Sequence, residues 1–152
     1  MGTMTAPSGI ENHVLNINSE TLVKASLETT FAALLEQLGP ESEKPDGSKF
    51  PMTLEAWPGG RWFRDLGEKD GHFWGSVQAI KRPTLLEISG PLFMSYAVIS
   101  NVQYRLSESA GGTLITFHHY AFGFIPDDYR QNINKGWAYI VDCIRKRAER
   151  GK

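Results

Sequence analysis

Residues Asp127–Arg150 read DDYRQNINKGWAYIVDCIRKRAER and place apolar side chains at steps of three and four positions. This spacing puts those side chains on one face of a helix, and at about 1.5 Å per residue the helix would be roughly 36 Å long. The apolar face comprises Ile133, Trp137, Ile140, Val141, Ile144 and Ala148. We therefore predict that this helix packs across a β-sheet formed by the preceding chain.

The chain before this helix is predicted to form one helix and a series of antiparallel strands. Ser26 is a suitable N-cap, and Gly39-Pro40 ends a helix whose apolar face is Phe31, Leu34, Leu35 and Leu38. Runs rich in β-branched and aromatic residues, separated by Gly and Pro, predict strands. These runs are residues 20–25, 52–57, 61–66, 72–81, 85–89, 96–106 and 113–122.

Two segments rich in Gly and Pro separate the early elements. Residues 40–51 (PESEKPDGSKFP) contain three prolines and predict a polar, mobile loop. Pro58-Gly59-Gly60 predicts a hairpin turn, because glycine readily adopts the positive φ of a tight reversal. Pairing Trp57 with Arg61 would place on one face Met52, Leu54, Ala56, Trp62 and Leu66, with Arg64 as the single charge.

The composition indicates one globular domain without affinity for nucleic acid. The 152 residues include 16 Lys plus Arg against 17 Asp plus Glu, so the positive field that attracts phosphate backbones is missing. No apolar run is long enough to span a bilayer, and the single cysteine, Cys143, excludes an internal disulfide. We expect no membrane insertion and a cytoplasmic location. Residues 1–18 are predicted to be a flexible tail, without the features of a signal peptide, and residues 19–150 a single domain.

The order strand, helix, hairpin, meander and terminal helix resembles a known superfamily. The resemblance rests on residues 26–31 (SLETTF), 57–62 (WPGGRW), 75–77 (GSV) with 82–83 (RP), 112–119 (GTLITFHH) and 136–137 (GW). These motifs are similar to those of the START-like or SRPBCC helix-grip proteins, and within them to the C-terminal domain of activators of Hsp90 ATPase. The 40–51 loop and the apolar connection 90–96 (GPLFMSY) depart from the family pattern.

The resemblance implies an α+β helix-grip fold of the START or Bet v 1 type. In this fold a curved antiparallel sheet of about six to seven strands wraps around the long C-terminal helix, with one short N-terminal helix beside it. It also implies a cavity between sheet and helix, which in many relatives holds a hydrophobic small molecule. The predicted cavity walls are Leu54, Ala56, Trp62, Phe73, Val77, Leu86, Ile88, Val98, Val102, Tyr104, Ile115, Phe117, Trp137, Val141 and Ile144. The alternative is that these side chains fill one another as a solid core.

His119 is the leading polar candidate on the inner face. It continues the face of Ile115 and Phe117, and it aligns with a histidine often seen at that strand position in similar sequences. A neutral imidazole there would donate or accept a hydrogen bond, or act as a general acid or base. The alternative is a core histidine that is bonded to backbone or to Tyr104.

Two further side chains have a functional and a structural interpretation. Arg64 would bind a ligand carboxylate through both nitrogens, or else extend to the sheet edge or pair with Glu55 or Asp65. Cys143 would have a lowered pKa next to the basic residues 145–147, or else be inert packing. The structural interpretation is favoured for both.

The pair His118-His119 does not predict a metal site, because neighbouring residues of a strand point to opposite faces. No metal and no cofactor are predicted. The apolar connection near residue 93 would line the mouth of the cavity, pack against a second subunit of a homodimer, or be buried within the monomer. Its apolar residues are Leu92, Phe93, Met94 and Tyr96.

Three functions follow from these features. The preferred one is a carrier or sensor that binds a small hydrophobic molecule without catalysis. The second is a cavity enzyme of the polyketide cyclase or hydrolase-like type, in which His119 acts with Tyr104 or Arg64. The third is a chaperone-interaction module similar to the Hsp90 ATPase activator.

Overall fold

Seven strands and two long helices follow one another in the predicted order. The computed structural model describes residues 10–93 and 95–151. After a 3-10 turn at Ile10–His13, the elements are β1 (Val14–Val23), α1 (Leu27–Leu38), β2 (Thr53–Leu54), β3 (Arg61–Gly67), β4 (Asp70–Lys81), β5 (Leu85–Gly90), β6 (Val98–Ser109), β7 (Gly112–Gly123) and α2 (Asp127–Arg150). Within the described residues the strands form one antiparallel sheet in the order β1-β7-β6-β5-β4-β3-β2. The predicted α+β helix-grip architecture is confirmed.

α1 begins and ends where its sequence predicts. The Ser26 hydroxyl accepts a hydrogen bond from the Thr29 amide at 3.1 Å, which satisfies one of the free N–H groups of the first turn. At the other end the Gly39 amide donates to the Glu36 carbonyl at 3.2 Å. The apolar face of α1 packs into the core of the domain.

α2 is amphipathic along its whole length. The buried side chains of α2 are Ile133, Trp137, Val141, Ile144 and Ala148, as predicted. Ile140 lies at the margin of this face and is half-buried. Neither described helix combines the length and the apolar character needed to cross a membrane.

The inner face of the two longest paired strands supplies the centre of the core. β6 and β7 pair so that Val102 lies opposite His119 and Tyr104 lies opposite Phe117. All four side chains are buried, whereas the alternate residues of β7, such as His118, point to the outer face. The rings of His118 and His119 therefore lie on opposite sides of the sheet, as strand alternation predicts.

The first hairpin has a different register from the predicted one. Leu54 pairs with Trp62, whereas the sequence predicted that Trp57 pairs with Arg61. The shift of two residues keeps the predicted side chains on their faces. Leu66 is the exception and is 64% exposed, because the pairing of β3 with β4 becomes irregular at that end.

Several strand boundaries also differ from the prediction. β1 begins at Val14 and so includes residues 14–18 of the predicted tail, of which residues 1–9 lie outside the described residues. β2 is limited to Thr53–Leu54, and β6 begins at Val98. The predicted turn at Gly59 is confirmed, with a φ of +84°.

A β-bulge in β4 corrects the predicted orientation of Phe73. Trp62 pairs with Gly75 and Phe63 pairs with Phe73, so Trp74 is an extra residue on the β4 side. The extra residue reverses the alternation of side chains. Phe73 consequently lies on the outer face with 45% of its surface exposed, and Trp74 takes the inner position next to Trp62.

The predicted loop after α1 contains a small hairpin, residues 42–50. The Phe50 amide donates to the Ser42 carbonyl and the Lys44 amide to the Ser48 carbonyl, each at 2.9 Å. A bridge between Glu43 and residue 49 completes it. We refer to this segment as the 42–50 hairpin.

Candidate functional site

A cavity of about 320 Å³ lies between the 42–50 hairpin, the end of α1, the middle of α2 and the inner face of β3 and β4. It is lined by Gln37, Leu38, Ser42, Glu43, Lys44, Pro45, Phe50, Trp62, Trp74, Phe93, Gly136, Tyr139 and Ile140. At about 30 Å³ per water molecule it has room for roughly ten waters, which puts it at the small end of ligand pockets. We call it the aromatic cavity.

Aromatic rings form most of the cavity wall. The Trp62 and Trp74 rings meet edge to face at 5.0 Å, and Trp74 lies 5.4 Å from Phe93 and 6.0 Å from Phe50. Both indole N–H groups are used within the protein: Trp62 donates to the Leu38 carbonyl at 2.7 Å, and Trp74 donates to an imidazole nitrogen at 2.9 Å. The walls therefore offer ring surface rather than free donors.

Gly136 leaves a stretch of bare helix backbone in the cavity wall. A methyl group added at its Cα would meet no heavy atom within 4 Å. Glycine in the interior of a helix costs about 1 kcal/mol relative to alanine. Packing does not demand glycine at this position, so its effect is to widen the cavity beside α2.

Phe93, which lies in the cavity wall, follows a residue with an unusual backbone conformation. Leu92 has a φ of +59°, which is a strained conformation for a residue with a branched side chain. Its side chain is buried, and its amide donates to the Trp74 carbonyl at 2.7 Å. One predicted role of the apolar connection 90–96 was to line the cavity, and the position of Phe93 in the wall supports it. Met94 lies outside the described residues.

The aromatic cavity is also lined by polar and charged side chains, among them Glu43 and Lys44. The Cys143 thiol donates to Glu43 Oε1 at 3.4 Å, and Lys44 Nζ lies 5.6 Å from the centre of the Phe50 ring. Burial raises the pKa of Cys143, contrary to the lowering that its basic neighbours suggested. Those neighbours are paired with carboxylates, mainly Asp142, and so do not stabilise a thiolate.

His119 is a buried member of a hydrogen-bonded chain. Its Nδ1 accepts the indole N–H of Trp137 at 2.8 Å, and its Nε2 lies 3.0 Å from the Ser100 hydroxyl. Because Nδ1 accepts, the proton of the neutral ring is on Nε2, which donates to Ser100. Burial lowers the pKa of His119 to about 4. The predicted partners, backbone or Tyr104, are corrected to Trp137 and Ser100.

Arg64 is held within the protein. Its Nη1 donates to the Pro51 carbonyl at 2.6 Å, and its guanidinium lies 4.4 Å from the centre of the Phe50 ring. Neither predicted acid partner is used, since Glu55 pairs with Arg61 at 2.7 Å. Arg64 thus anchors the 42–50 hairpin to β3.

The Tyr104 hydroxyl is buried and has no hydrogen-bond partner among the described residues. A buried hydroxyl without a partner costs free energy, and burial raises its pKa. We expect that Tyr104→Phe raises the free energy of unfolding by about 1 kcal/mol or leaves it unchanged. Urea denaturation measures this, with Tyr120→Phe on the outer face as the control. A loss above about 1 kcal/mol would mean that the hydroxyl has a partner.

The predicted wall residues fall into three groups. Trp62 lines the aromatic cavity. A larger group is buried in the core, namely Val77, Leu86, Ile88, Val98, Val102, Tyr104, Ile115, Phe117, Trp137, Val141 and Ile144, and His119 is buried with them. Leu54, Ala56 and Arg64 are half-buried, and Phe73 is on the outer face. Contact of these residues with a ligand stays a prediction.

Sequence reasoning missed most of the residues that line the aromatic cavity. Phe50 lies in the predicted loop, and on β4 the sequence predicted Phe73 as the wall residue instead of Trp74. Gly136 had a detectable signal, because a glycine inside an otherwise regular amphipathic helix requires an explanation. Tyr139 had no detectable signal in the sequence, because it lies beside the apolar stripe of α2 and does not belong to it.

Comparison with known proteins identifies the fold. The chain matches no protein-family model and no curated protein sequence. Its structure is similar to the di-domain ARO/CYC StfQ from the steffimycin biosynthetic pathway, with a TM-score of 0.66 and 10% identity over 93% of this chain. The match covers 52% of StfQ, so this chain spans about half of that protein.

Two other solved structures match over nearly their whole length. An uncharacterized protein from Rhizobium leguminosarum has a TM-score of 0.66 and 17% identity over 90% of this chain and 95% of its own. Ara h 8.0201, a Bet v 1 homologue, has a TM-score of 0.62 and 16% identity over 89% of this chain and 97% of its own. At these identities the similarity concerns the fold. With its seven-stranded antiparallel sheet and long C-terminal helix, this chain has the Bet v 1-like helix-grip fold.

Proposed function

We propose that this protein binds a small hydrophobic molecule in the aromatic cavity, as a carrier or sensor. The observation that supports this most is the cavity itself, which has aromatic walls and a bare backbone segment at Gly136. The similarity in fold to StfQ, from the steffimycin biosynthetic pathway, agrees with a small-molecule ligand. The cytoplasmic location and the homodimer stay predictions.

The driving force for binding would be the removal of apolar surface from water. A molecule that buries about 300 Å² of apolar surface, counted on ligand and walls, gains roughly 7 kcal/mol at about 25 cal/mol per Å². The cost of immobilising the ligand reduces this gain. We therefore expect dissociation constants in the micromolar range or above.

The alternative functions have less support. A general base needs a free lone pair within reach of a substrate, and both ring nitrogens of His119 already have partners, Trp137 and Ser100. His119 also does not line the aromatic cavity. The chaperone-interaction module and the closer relationship to the Hsp90 ATPase activator stay predictions from the sequence.

Gly136→Leu should block the aromatic cavity without damaging the fold. The leucine side chain would extend into open space, and it has a higher helix propensity than glycine. We expect at least a tenfold loss of affinity for the neutral probe 1-naphthylmethanol, measured by isothermal titration calorimetry, with no fall in melting temperature.

Ala138→Leu is the matched control, because it adds the same side chain at an exposed position of α2. It should leave the affinity of the probe unchanged. Unaltered binding by Gly136→Leu would show that the probe occupies another place. Native mass spectrometry of the purified protein would complement this test by detecting a ligand that copurifies.

A further inference from the structure

We propose that the ligand of the aromatic cavity carries a cationic nitrogen on its aromatic or apolar body. This inference rests on the proposed function and adds the chemical class of the ligand. Two features of the cavity carry it: the aromatic rings of its wall, and the carboxylate of Glu43 in its lining.

The ring surfaces of the wall suit a positive charge. An aromatic face carries partial negative charge and attracts ammonium and guanidinium groups within about 6 Å of the ring centre, and tryptophan does so most strongly. The protein already uses this attraction at Phe50, where Arg64 and Lys44 lie 4.4 and 5.6 Å from the ring centre. Trp62 and Trp74, whose N–H edges are bonded to protein acceptors, also line the cavity.

Glu43 supplies a formal negative charge without a matching cation. The Cys143 thiol, a weak donor at 3.4 Å, is its hydrogen-bond partner, and no basic nitrogen within residues 10–93 and 95–151 lies within 4.0 Å of its carboxylate. Two other carboxylates of this region are paired: Glu41 with Arg147 at 3.9 Å, and Asp142 with basic residues of its own helix. Glu43 is therefore available to a positive charge that enters the cavity.

The lining of the cavity also contains one basic residue, Lys44. Lys44 is exposed and lies over the Phe50 ring instead of pairing with Glu43. The pKa of Tyr139, a wall residue, is raised to about 12 by desolvation, by the Cys143 thiol and then by the carboxylates of Glu43 and Asp46. The two carboxylates are the smallest of these causes, and their sign is the one that favours a cation and opposes an anion.

Three naphthalene probes with different head groups test the inference. They are 1-naphthylmethyltrimethylammonium, 1-naphthylmethanol and 1-naphthylacetate, titrated calorimetrically at neutral pH and low salt. We expect the cation to bind about tenfold more tightly than the alcohol, and the acetate to bind most weakly. Glu43→Gln should remove most of the advantage of the cation and leave the affinity for the alcohol unchanged.

Glu41→Gln is the control, since it removes a carboxylate of the same segment that does not line the cavity. It should keep the order of the three affinities. Equal binding of cation and alcohol to the wild-type protein, or tightest binding of the acetate, would overturn the inference and leave the proposed function standing. If none of the three probes bound, both the proposed function and the inference would be contradicted.

Discussion

Trp137→Ala lowers the free energy of unfolding by about 3–5 kcal/mol, the range for truncation of a buried tryptophan. The Trp137 side chain is 1% exposed and packs against Phe117 at 4.9 Å and Phe93 at 5.7 Å. Its N–H also donates to His119, so the substitution leaves both a void and an unpaired acceptor. For a domain of this size we expect the melting temperature to fall by roughly 6–20 °C.

One further variant separates the contribution of volume from that of hydrogen bonding, and a second is a control at an exposed position. Trp137→Phe keeps most of the apolar volume but removes the donor to His119, and it should cost about 1–3 kcal/mol. Trp57→Ala, at a side chain that is 58% exposed, should change stability by less than about 0.5 kcal/mol. A cost for Trp137→Ala no greater than that for Trp57→Ala would contradict the buried position of Trp137.

Acidification should destabilise the protein through His119. The pKa of His119 is about 4 in the folded state against 6.5 for an ordinary histidine, so between these values the unfolded chain binds the extra proton. The contribution of neutral His119 to the free energy of unfolding is therefore fully present above about pH 6.5 and is lost as the pH falls towards 4. The full loss is about 3 kcal/mol. Urea denaturation at several pH values from 7.5 to 4.5 measures it.

His119→Asn removes the titrating group and retains a hydrogen-bond acceptor near the Nδ1 position. It should flatten the pH dependence between pH 6.5 and 4.5. Glu55 affects the stability at lower pH. Hydrogen bonds from Arg61 lower its pKa to about 2, so its contribution to the free energy of unfolding is lost only below about pH 4.5. An unchanged slope in His119→Asn would exclude His119 as the cause.

Both helices could be predicted because their signals are local. The apolar stripe of α2 and the Ser26 cap of α1 depend on residues within a few positions of each other, and both occur as predicted. The alternation in β7 is equally local and placed His119 on the inner face. The alternation failed at Trp74, because a bulge depends on the pairing of two strands rather than on the sequence of one.

The partners of the candidate site come from distant parts of the chain. Trp137 reaches His119 from α2, and Glu43 reaches Cys143 across 100 positions of sequence. Neither contact leaves a periodic pattern in the residues around it. The pKa of Cys143 likewise depends on groups that are distant in sequence. Its basic neighbours in the sequence suggested a lowered pKa, whereas burial and nearby carboxylates raise it.

The amino-acid order alone thus specified the helices, most of the strands and the faces they bury, since these follow from spacing within each element. The position of the aromatic cavity, and the choice of Trp74 over Phe73 for its wall, depended on how the 42–50 hairpin, β4 and α2 pack against one another. A cavity is a space that several elements leave unfilled. Its walls are therefore settled by three-dimensional packing and not by periodicity along the chain.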